Sequence, residues 1–121
     1  MTGMPTSSNV LLKLRVVEAK GLAKKDTFGK SDPFTKVFFL GCDSKPETRR
    51  TLVRKKTLNP KWNHDFRFKI RCHHDKGTIV LDVYDENKLI RDDFLGRVYL
   101  HFDLDDPESL YYFEKVRPLN Y

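Results

Sequence analysis

The segment IVLDVYDENKLIRDDFLGRVYLHF, which runs from Ile79 to Phe102, decides the fold. In its first six residues every second side chain is apolar, and this alternation is the pattern of a half-buried β-strand. A weaker candidate strand, Arg97 to Phe102, follows a connection rich in Asp and Asn. The segment therefore predicts two strands joined by an acidic loop.

The same alternation extends outward from this segment. It recurs in Leu12 to Val16 and in Phe66 to Ile70, while weaker strand candidates are Phe34–Leu40, Arg49–Arg54 and a short one near Tyr111–Val116. Gly, Pro, Asn and Asp mark turns between them. Many short strands at this spacing predict an antiparallel β-sandwich, in which the connections at one end lie together.

Composition limits the chain to one domain. With 121 residues and 39% hydrophobic residues it can build a single core. The longest aliphatic and aromatic run, Val37 to Leu40, is far shorter than the roughly 20 residues of a membrane span. We expect residues 1–9 to form a disordered N-terminal segment and residues 10–121 to form the domain. The formal charge of +6 favours an anionic partner, either a membrane surface or nucleic acid.

The cysteines and histidines carry little functional signal. Cys42 and Cys72 are expected to be reduced thiols of a cytosolic protein, because one disulfide is a poor framework for a chain of this length. Cys72, His73 and His74 are adjacent, but neighbouring side chains at a strand end point in opposite directions. No nucleophile elbow or phosphate-binding glycine loop is present, so nothing predicts catalysis.

Two connections concentrate acidic side chains. The first contains Asp26 and Asp32, and the second contains Asp85, Glu86, Asn87, Asp92 and Asp93. If the loops converge, their carboxylates must protonate, find basic partners or hold a cation. Calcium fits such a set best, since it takes 6 to 8 oxygen ligands in a flexible shell, whereas zinc prefers His and Cys. Solvated loop carboxylates with no ligand are the alternative.

The order of three motifs resembles a C2 domain. AKGLAKKDTFGKSDPF resembles the first loop of that family, TLNPKWN resembles the loop before its central strand, and VYDENKLIRDDFLG resembles its third loop. The match covers about Val10 to Phe102 and is greatest to the C2 domains that open the WW-containing HECT-type E3 ubiquitin ligases. The resemblance implies an eight-stranded antiparallel Greek-key sandwich that binds calcium and then anionic phospholipid.

The resemblance also assigns a set of calcium ligands. Many calcium-binding members have Asp where this chain has Asn87, so we expect weaker affinity or fewer ions. Glu86 and Asp92 are not at ligand positions. The implied metal ligands are Asp26, Asp32, Asp85, Asn87 and Asp93.

The ends of the chain depart from the family pattern. Only nine residues precede the first strand, so an extra leading strand is not expected. The other family arrangement closes with a terminal strand, and no such strand follows Pro118. Either the last strand is truncated in this sequence, or Leu119 to Tyr121 begins it.

The loop tips predict membrane contact. Apolar side chains stand among cations in both acidic loops, a combination that fits an anionic bilayer interface, where each basic residue contributes about 1 kcal/mol. The alternative for Phe28 is inward packing, whereas exposure is favoured for the apolar pair of the third loop. The predicted lipid-contacting residues are Phe28, Lys30, Lys88, Leu89, Ile90 and Arg91.

A second lipid site is implied on the strands. Some C2 domains bind phosphoinositide headgroups there, and Lys36, Arg50 and Tyr84 keep the expected side-chain types. A solvated basic face is the alternative interpretation.

These features predict a non-enzymatic, calcium-dependent membrane-targeting module of a larger cytoplasmic protein, such as a HECT-type ubiquitin ligase. It would be recruited peripherally to membranes containing phosphatidylserine or phosphoinositides. A protein-interaction module that contacts and restrains a catalytic domain is the alternative. Nucleic acid is not expected as a partner, because the acidic rim would repel phosphate backbones.

Overall fold

The computed structural model describes residues 9–23, 31–42, 47–72, 74 and 76–106. Within them the chain is all-β, with every strand pair antiparallel, as predicted from the alternating pattern. The predicted strand near Tyr111–Val116 lies outside these residues. Six strands are present in the described ranges: β1 Asn9–Glu18, β2 Pro33–Leu40, β3 Arg49–Arg50, β4 Lys61–Arg71, β5 Lys76–Asp85 and β6 Asp93–Asp103.

The strands form two sheets that face each other. One sheet pairs β1 with β4, and the other has the order β3-β2-β5-β6. β1 begins at Asn9, the last residue of the segment that we assign to the N-terminal tail. Over the described ranges, no helix is long and apolar enough to cross a bilayer.

The core fills the space between the two sheets. Leu14 and Val16 of β1, together with Phe66, Phe68 and Ile70 of β4, are buried as their alternation predicts. They meet the inward side chains of the second sheet, where the rings of Phe39 and Phe68 lie edge to face with centroids 4.8 Å apart. Aromatic pairs in this geometry add about 0.5–1.5 kcal/mol beyond the burial of their area.

β5 departs from simple alternation because it is a central strand. Its side chains at 79–83 are all buried, including Val80 and Asp82 on the side away from the core. β2 and β6 flank β5 on both edges. Side chains of these neighbours cover the outward residues of β5, an effect that the pattern of one strand does not reveal.

The predicted strand Arg49–Arg54 forms regular ladder pairs only at Arg49 and Arg50. The chain nevertheless continues beside β2. The backbone N–H of Thr51 donates to the carbonyl of Thr35 at 2.9 Å, but the return bond runs from the Thr35 N–H to the Thr51 hydroxyl at 3.0 Å. A side-chain oxygen thus replaces a backbone carbonyl, which interrupts the regular ladder.

The expectation of two reduced cysteines is wrong for this structure. Cys42 follows β2 and Cys72 follows β4, and the two residues bridge the sheets as an isolated antiparallel pair with their Cα atoms 4.0 Å apart. Their sulfurs form a disulfide, so neither cysteine is free. The two cysteines are 30 positions apart in sequence, so a local pattern does not reveal their contact.

The motif TLNPKWN organises the end of the sandwich at which β2 begins. Trp62 is buried, and its indole N–H donates to the carbonyl of Pro33 at 3.1 Å. The Asn59 side chain accepts the backbone N–H of Gly21 at 2.8 Å, and Pro60 accepts that of Ala19 at 3.0 Å. These bonds fasten the turn after β1 beside the acidic loops.

Candidate functional site

Sheet register brings the acidic positions of two connections to one end of the sandwich. Asp85 ends β5, and its Cα pairs with Pro33 on one side and with Asp93 on the other. Asp32 immediately precedes Pro33 in the chain. The three carboxylate-bearing residues are therefore neighbours across the start of β2, the end of β5 and the start of β6. Together with Asn87 they are called the acidic rim.

Hydrogen bonds fix the two innermost carboxylates. Asp85 is only 5% exposed, and its Oδ1 accepts the backbone N–H of Asp32 at 2.8 Å. The Oδ1 of Asp32 accepts the backbone N–H of Lys56 at 2.7 Å. The Glu86 N–H donates to the Asp32 carbonyl at 3.0 Å. These bonds hold both side chains in place as hydrogen-bond acceptors.

The Asn87 side chain is held by hydrogen bonds within the third loop. Its side-chain Oδ1 accepts the backbone N–H of Leu89 at 3.0 Å and that of Ile90 at 3.4 Å. An amide oxygen has two lone pairs, so both are engaged inside the loop. To ligate calcium, Asn87 would have to release one of these bonds.

Sequence reasoning missed two residues that shape the third loop. Asp92 accepts the backbone N–H of Asn87 through Oδ1 at 2.9 Å, although the resemblance gives Asp92 no ligand role. Lys55 contacts Glu86 with Nζ and Oε1 3.3 Å apart, which links the loop to the segment before β4. The preference of Asp for bonds to nearby backbone N–H groups was the available signal for Asp92.

The tip of the third loop is open to solvent. Leu89 is 94% exposed and Ile90 is 81% exposed, and the flanking Lys88 and Arg91 are exposed as well. This agrees with the sequence analysis, which favoured solvent exposure of Leu89 and Ile90. The matching residues of the first loop, Asp26, Phe28 and Lys30, lie outside the described residues.

The donor chemistry of the acidic rim suits calcium. It consists of carboxylate and amide oxygens carried by irregular connections, which is the ligand type that calcium prefers. Over the described ranges, no three His, Cys, Asp or Glu side chains are grouped closely enough to hold a metal ion. Asp32 and Asp85 each direct an oxygen to a backbone N–H, and Asp26 falls outside those ranges. A calcium site would therefore require both loops and some reorientation of these carboxylates.

The second candidate site lies on the outward face of the four-stranded sheet. Lys36 and Arg50 are cross-strand partners, and each cation lies over an aromatic ring. The Lys36 Nζ is 4.6 Å from the centroid of the Tyr84 ring, and the Arg50 guanidinium is 5.1 Å from that of Phe34. The two rings stack with centroids 5.7 Å apart. Burial, with a smaller contribution from Asp82, raises the pKa of Tyr84.

An ion pair between a buried carboxylate and a partly exposed guanidinium adjoins this cation–aromatic cluster. Asp82 is 3% exposed and accepts two bonds from Arg97, at 2.6 and 2.8 Å. Lys36 faces Asp82 across the strands, but the bidentate partner of the carboxylate is Arg97. The pairing leaves the Lys36 ammonium over the tyrosine ring. The structure thus brings together the three residues of the predicted phosphoinositide site.

Comparisons with known proteins agree with this geometry. The model of the C2 domain family matches residues 10–114. The chain is 43% identical over 91 residues to the E3 ubiquitin-protein ligase Nedd-4 of Drosophila melanogaster, an alignment that covers 74% of this chain and 9% of the ligase. It is 33% identical over 97 residues to mouse synaptotagmin-7, covering 79% of this chain and 24% of that protein.

Solved structures show the same fold. A C2 domain of a plant extended synaptotagmin 1 superposes with a TM-score of 0.67 at 31% identity, covering 80% of this chain and 70% of that one. A C2 domain of RIM from Drosophila gives a TM-score of 0.65 at 24% identity, covering 75% and 74% of the two chains. The chain spans about a tenth of the length of the ligases that it matches and about a quarter of the synaptotagmins.

Proposed function

Because the chain belongs to the C2 domain family, we propose that it binds anionic phospholipid membranes when calcium occupies the acidic rim. The observation that carries the proposal is the register that places Asp85 between Asp32 and Asp93, at the end where Leu89 and Ile90 project. Acidic side chains and an exposed apolar tip thus share one end of the domain.

Each part of this end has a separate task. Asp32, Asp85 and Asp93 supply oxygens, with Asp26 as a further ligand from the first loop. Bound calcium would cancel the negative potential of the rim and offer a coordination position to a lipid phosphate or carboxylate. Leu89 and Ile90 would enter the interface, where full burial of each side chain contributes roughly 1.5–3 kcal/mol and partial burial contributes less.

The cations around the tip complete the membrane surface. Lys88 and Arg91 flank the apolar pair and are exposed. Basic side chains near an anionic leaflet add about 1 kcal/mol each and lose this attraction as salt rises. In this proposal Phe28 and Lys30 of the first loop contribute in the same way. The domain would target a larger cytoplasmic protein, such as a HECT-type ubiquitin ligase, peripherally to membranes.

Cosedimentation with phosphatidylserine liposomes tests the proposal, with calcium and with chelator. Asp32→Asn/Asp93→Asn is expected to abolish the calcium-dependent fraction. Asp105→Asn/Asp106→Asn is the matched control, because it makes the same charge change beyond the far end of β6. That end lies about 33 Å from Asp93 along the strand, at a rise of 3.3 Å per residue. Wild-type binding that is equal with calcium and chelator would refute calcium dependence.

A second pair of variants tests the tip. Leu89→Gln/Ile90→Gln is expected to weaken calcium-dependent liposome binding by about tenfold or more, because it should remove over about 1.4 kcal/mol of binding free energy. Calcium should still raise the melting temperature of this variant. Leu11→Gln/Leu52→Gln removes two other exposed leucines, at 52% and 64% exposure, and should change little. Equal losses in both variants would contradict insertion of the tip.

Phosphoinositide binding at Lys36, Arg50 and Tyr84 is a second candidate function. The observation in its favour is that two cations are held side by side over stacked rings, which pre-orients them toward an anionic headgroup. Liposomes containing phosphatidylinositol bisphosphate, in chelator, should bind wild type but not Lys36→Gln/Arg50→Gln. Lys13→Gln/Lys69→Gln, with the same charge loss on the other sheet, is the control, and equal loss would indicate nonspecific attraction.

A further inference from the structure

The outward face of the β1–β4 sheet carries an unneutralised basic surface that the proposed membrane function does not use. Its central side chains alternate with the buried ones along both strands. All of them are exposed, and this surface is called the β1–β4 outer face. Its defining residues are Leu11, Lys13, Arg15, Asp65, Arg67 and Lys69.

Only one carboxylate stands among the four cations of this face. Asp65 accepts bonds from Arg15 at 2.7 and 3.2 Å, in a bidentate pair that lies across the two strands. Over the described ranges, Lys13, Arg67 and Lys69 form no ion pair with a carboxylate. Arg67 interacts with the Asp65 carboxylate only at longer range. Within the described residues, one carboxylate that is already paired with Arg15 therefore faces four cations.

The register makes this arrangement unfavourable for the sheet itself. Lys13 lies directly opposite Arg67, and Lys69 is the next outward residue of β4. Like charges directly opposite each other destabilise an antiparallel pair. Strand alternation requires only polar side chains here, not side chains of one sign. The fold does not account for the charge pattern, whereas an anionic partner would.

The direction of the face separates it from the proposed membrane contacts. The hydrophobic core lies between the sheets, so the β1–β4 outer face points away from the side that carries Lys36 and Arg50. Leu89 and Ile90 project from the end of the sandwich, not from this face. A bilayer bound by those residues would leave the β1–β4 outer face accessible to another anionic partner.

The geometry favours an extended acidic polypeptide as that partner. Same-face side chains along a strand are about 6.6–6.8 Å apart, and alternate residues of an extended peptide repeat at the same distance. The Arg15–Asp65 pair shows that this face already holds a carboxylate in the bidentate geometry that guanidinium groups favour. Leu11 is 52% exposed beside these cations and offers an apolar contact.

We propose that the β1–β4 outer face binds an acidic, extended polypeptide segment, independently of calcium. The interaction rests on charge complementarity, so it should be sensitive to salt and fast in association. Lys13, Arg67 and Lys69 supply the charges that the partner neutralises.

The test uses a fluorescein-labelled oligoglutamate peptide and fluorescence anisotropy in chelator at low ionic strength. Lys13→Glu/Lys69→Glu is expected to weaken binding about tenfold or more, equivalent to 1.4 kcal/mol. Lys36→Glu/Arg50→Glu makes the same charge change on the opposite side and should weaken binding less than about threefold by long-range repulsion alone. Lys13→Glu places a carboxylate opposite Arg67, so the double variant should melt no lower than wild type.

Three results would overturn the proposal. They are peptide binding unchanged in Lys13→Glu/Lys69→Glu, equal weakening in the two variants, and weakening accompanied by unfolding. Phosphatidylserine liposomes in chelator form a fourth arm: if the outer-face variant loses liposome binding but keeps peptide binding, the occupant is a bilayer, which also overturns it. Calcium-dependent liposome binding of the same variant should remain, so failure here is distinguishable from failure of the proposed membrane function.

Discussion

Asp85 holds Asp32 in place, because its Oδ1 accepts the Asp32 backbone N–H at 2.8 Å across the junction of β5 and β2. The bond connects the two acidic loops before any ligand binds. Asp85 is almost fully buried, so its side chain has a structural task in addition to its proposed ligand role. These two tasks can be separated by substitution.

Asp85→Asn and Asp85→Ala are expected to differ in stability but to agree in calcium response. Asn keeps an acceptor for the Asp32 N–H, whereas Ala leaves that donor unpaired at a cost of about 1–3 kcal/mol. Differential scanning fluorimetry should therefore show a lower melting temperature for Asp85→Ala in chelator. In both variants calcium should no longer raise the melting temperature. A preserved calcium shift in Asp85→Ala, which has no side-chain oxygen, would exclude Asp85 as a ligand.

Arg97 should be essential for the stability of the outward face of β5. Arg97→Leu leaves Asp82 buried without its bidentate partner. The expected loss is about 2–4 kcal/mol of unfolding free energy. This is less than the cost of breaking a fully buried ion pair, because Arg97 is partly exposed. Arg97→Lys keeps the charge but not the planar fork and should lose about half as much. Urea denaturation measures both values. If Arg97→Leu were neutral, Lys36 would have replaced Arg97 as the partner of Asp82.

The alternating strands and the acidic loops were predictable from sequence because each depends on local spacing. Leu14, Val16, Phe66, Phe68 and Ile70 are buried where a period of two places them. The family motifs also pointed to the connections that carry Asp32, Asp85 and Asp93, which the register brings to one end. That this end binds calcium stays a prediction. A local pattern is enough where alternation alone decides whether a side chain points to the core or to solvent.

Features that depend on partners distant in sequence were not predictable. The Cys42–Cys72 bridge joins two strand ends from different sheets, and the hydroxyl of Thr51 takes the place of a ladder carbonyl. Asn87 binds its own loop, because backbone N–H groups two and three residues on are within reach of its side chain. Sequence spacing gives the type of a side chain, but it does not decide which of several possible donors the side chain will bind.

The Arg15–Asp65 pair predicts a specific acid dependence. The hydrogen bond from Arg15 holds the pKa of Asp65 below its ordinary value of 3.8. A carboxyl whose pKa is lowered by folding stabilises the native state above the unfolded pKa, and this contribution disappears as pH falls through the lower folded pKa. Asp65→Asn should therefore melt below wild type at neutral pH, with the difference vanishing in acid below the folded pKa. High salt should reduce this difference in melting temperature, since the Arg15–Asp65 pair is exposed. A difference that stays constant with pH would contradict the prediction.

Gly77 permits the close approach of β5, β6 and the disulfide. A Cβ at this position would lie 2.7 Å from Cζ of Phe102 and 2.9 Å from Sγ of Cys42, and no real Cβ contact is that short without movement. Gly77→Ala should therefore lose about 1–3 kcal/mol of unfolding free energy through overpacking. Phe102→Leu opens the space at its own cost, so the double variant Gly77→Ala/Phe102→Leu should lose less than the two single losses combined, as measured by a double-mutant cycle in urea. If the losses of unfolding free energy in the two single variants were additive, the Phe102 ring would not be the group that a Cβ at position 77 clashes with.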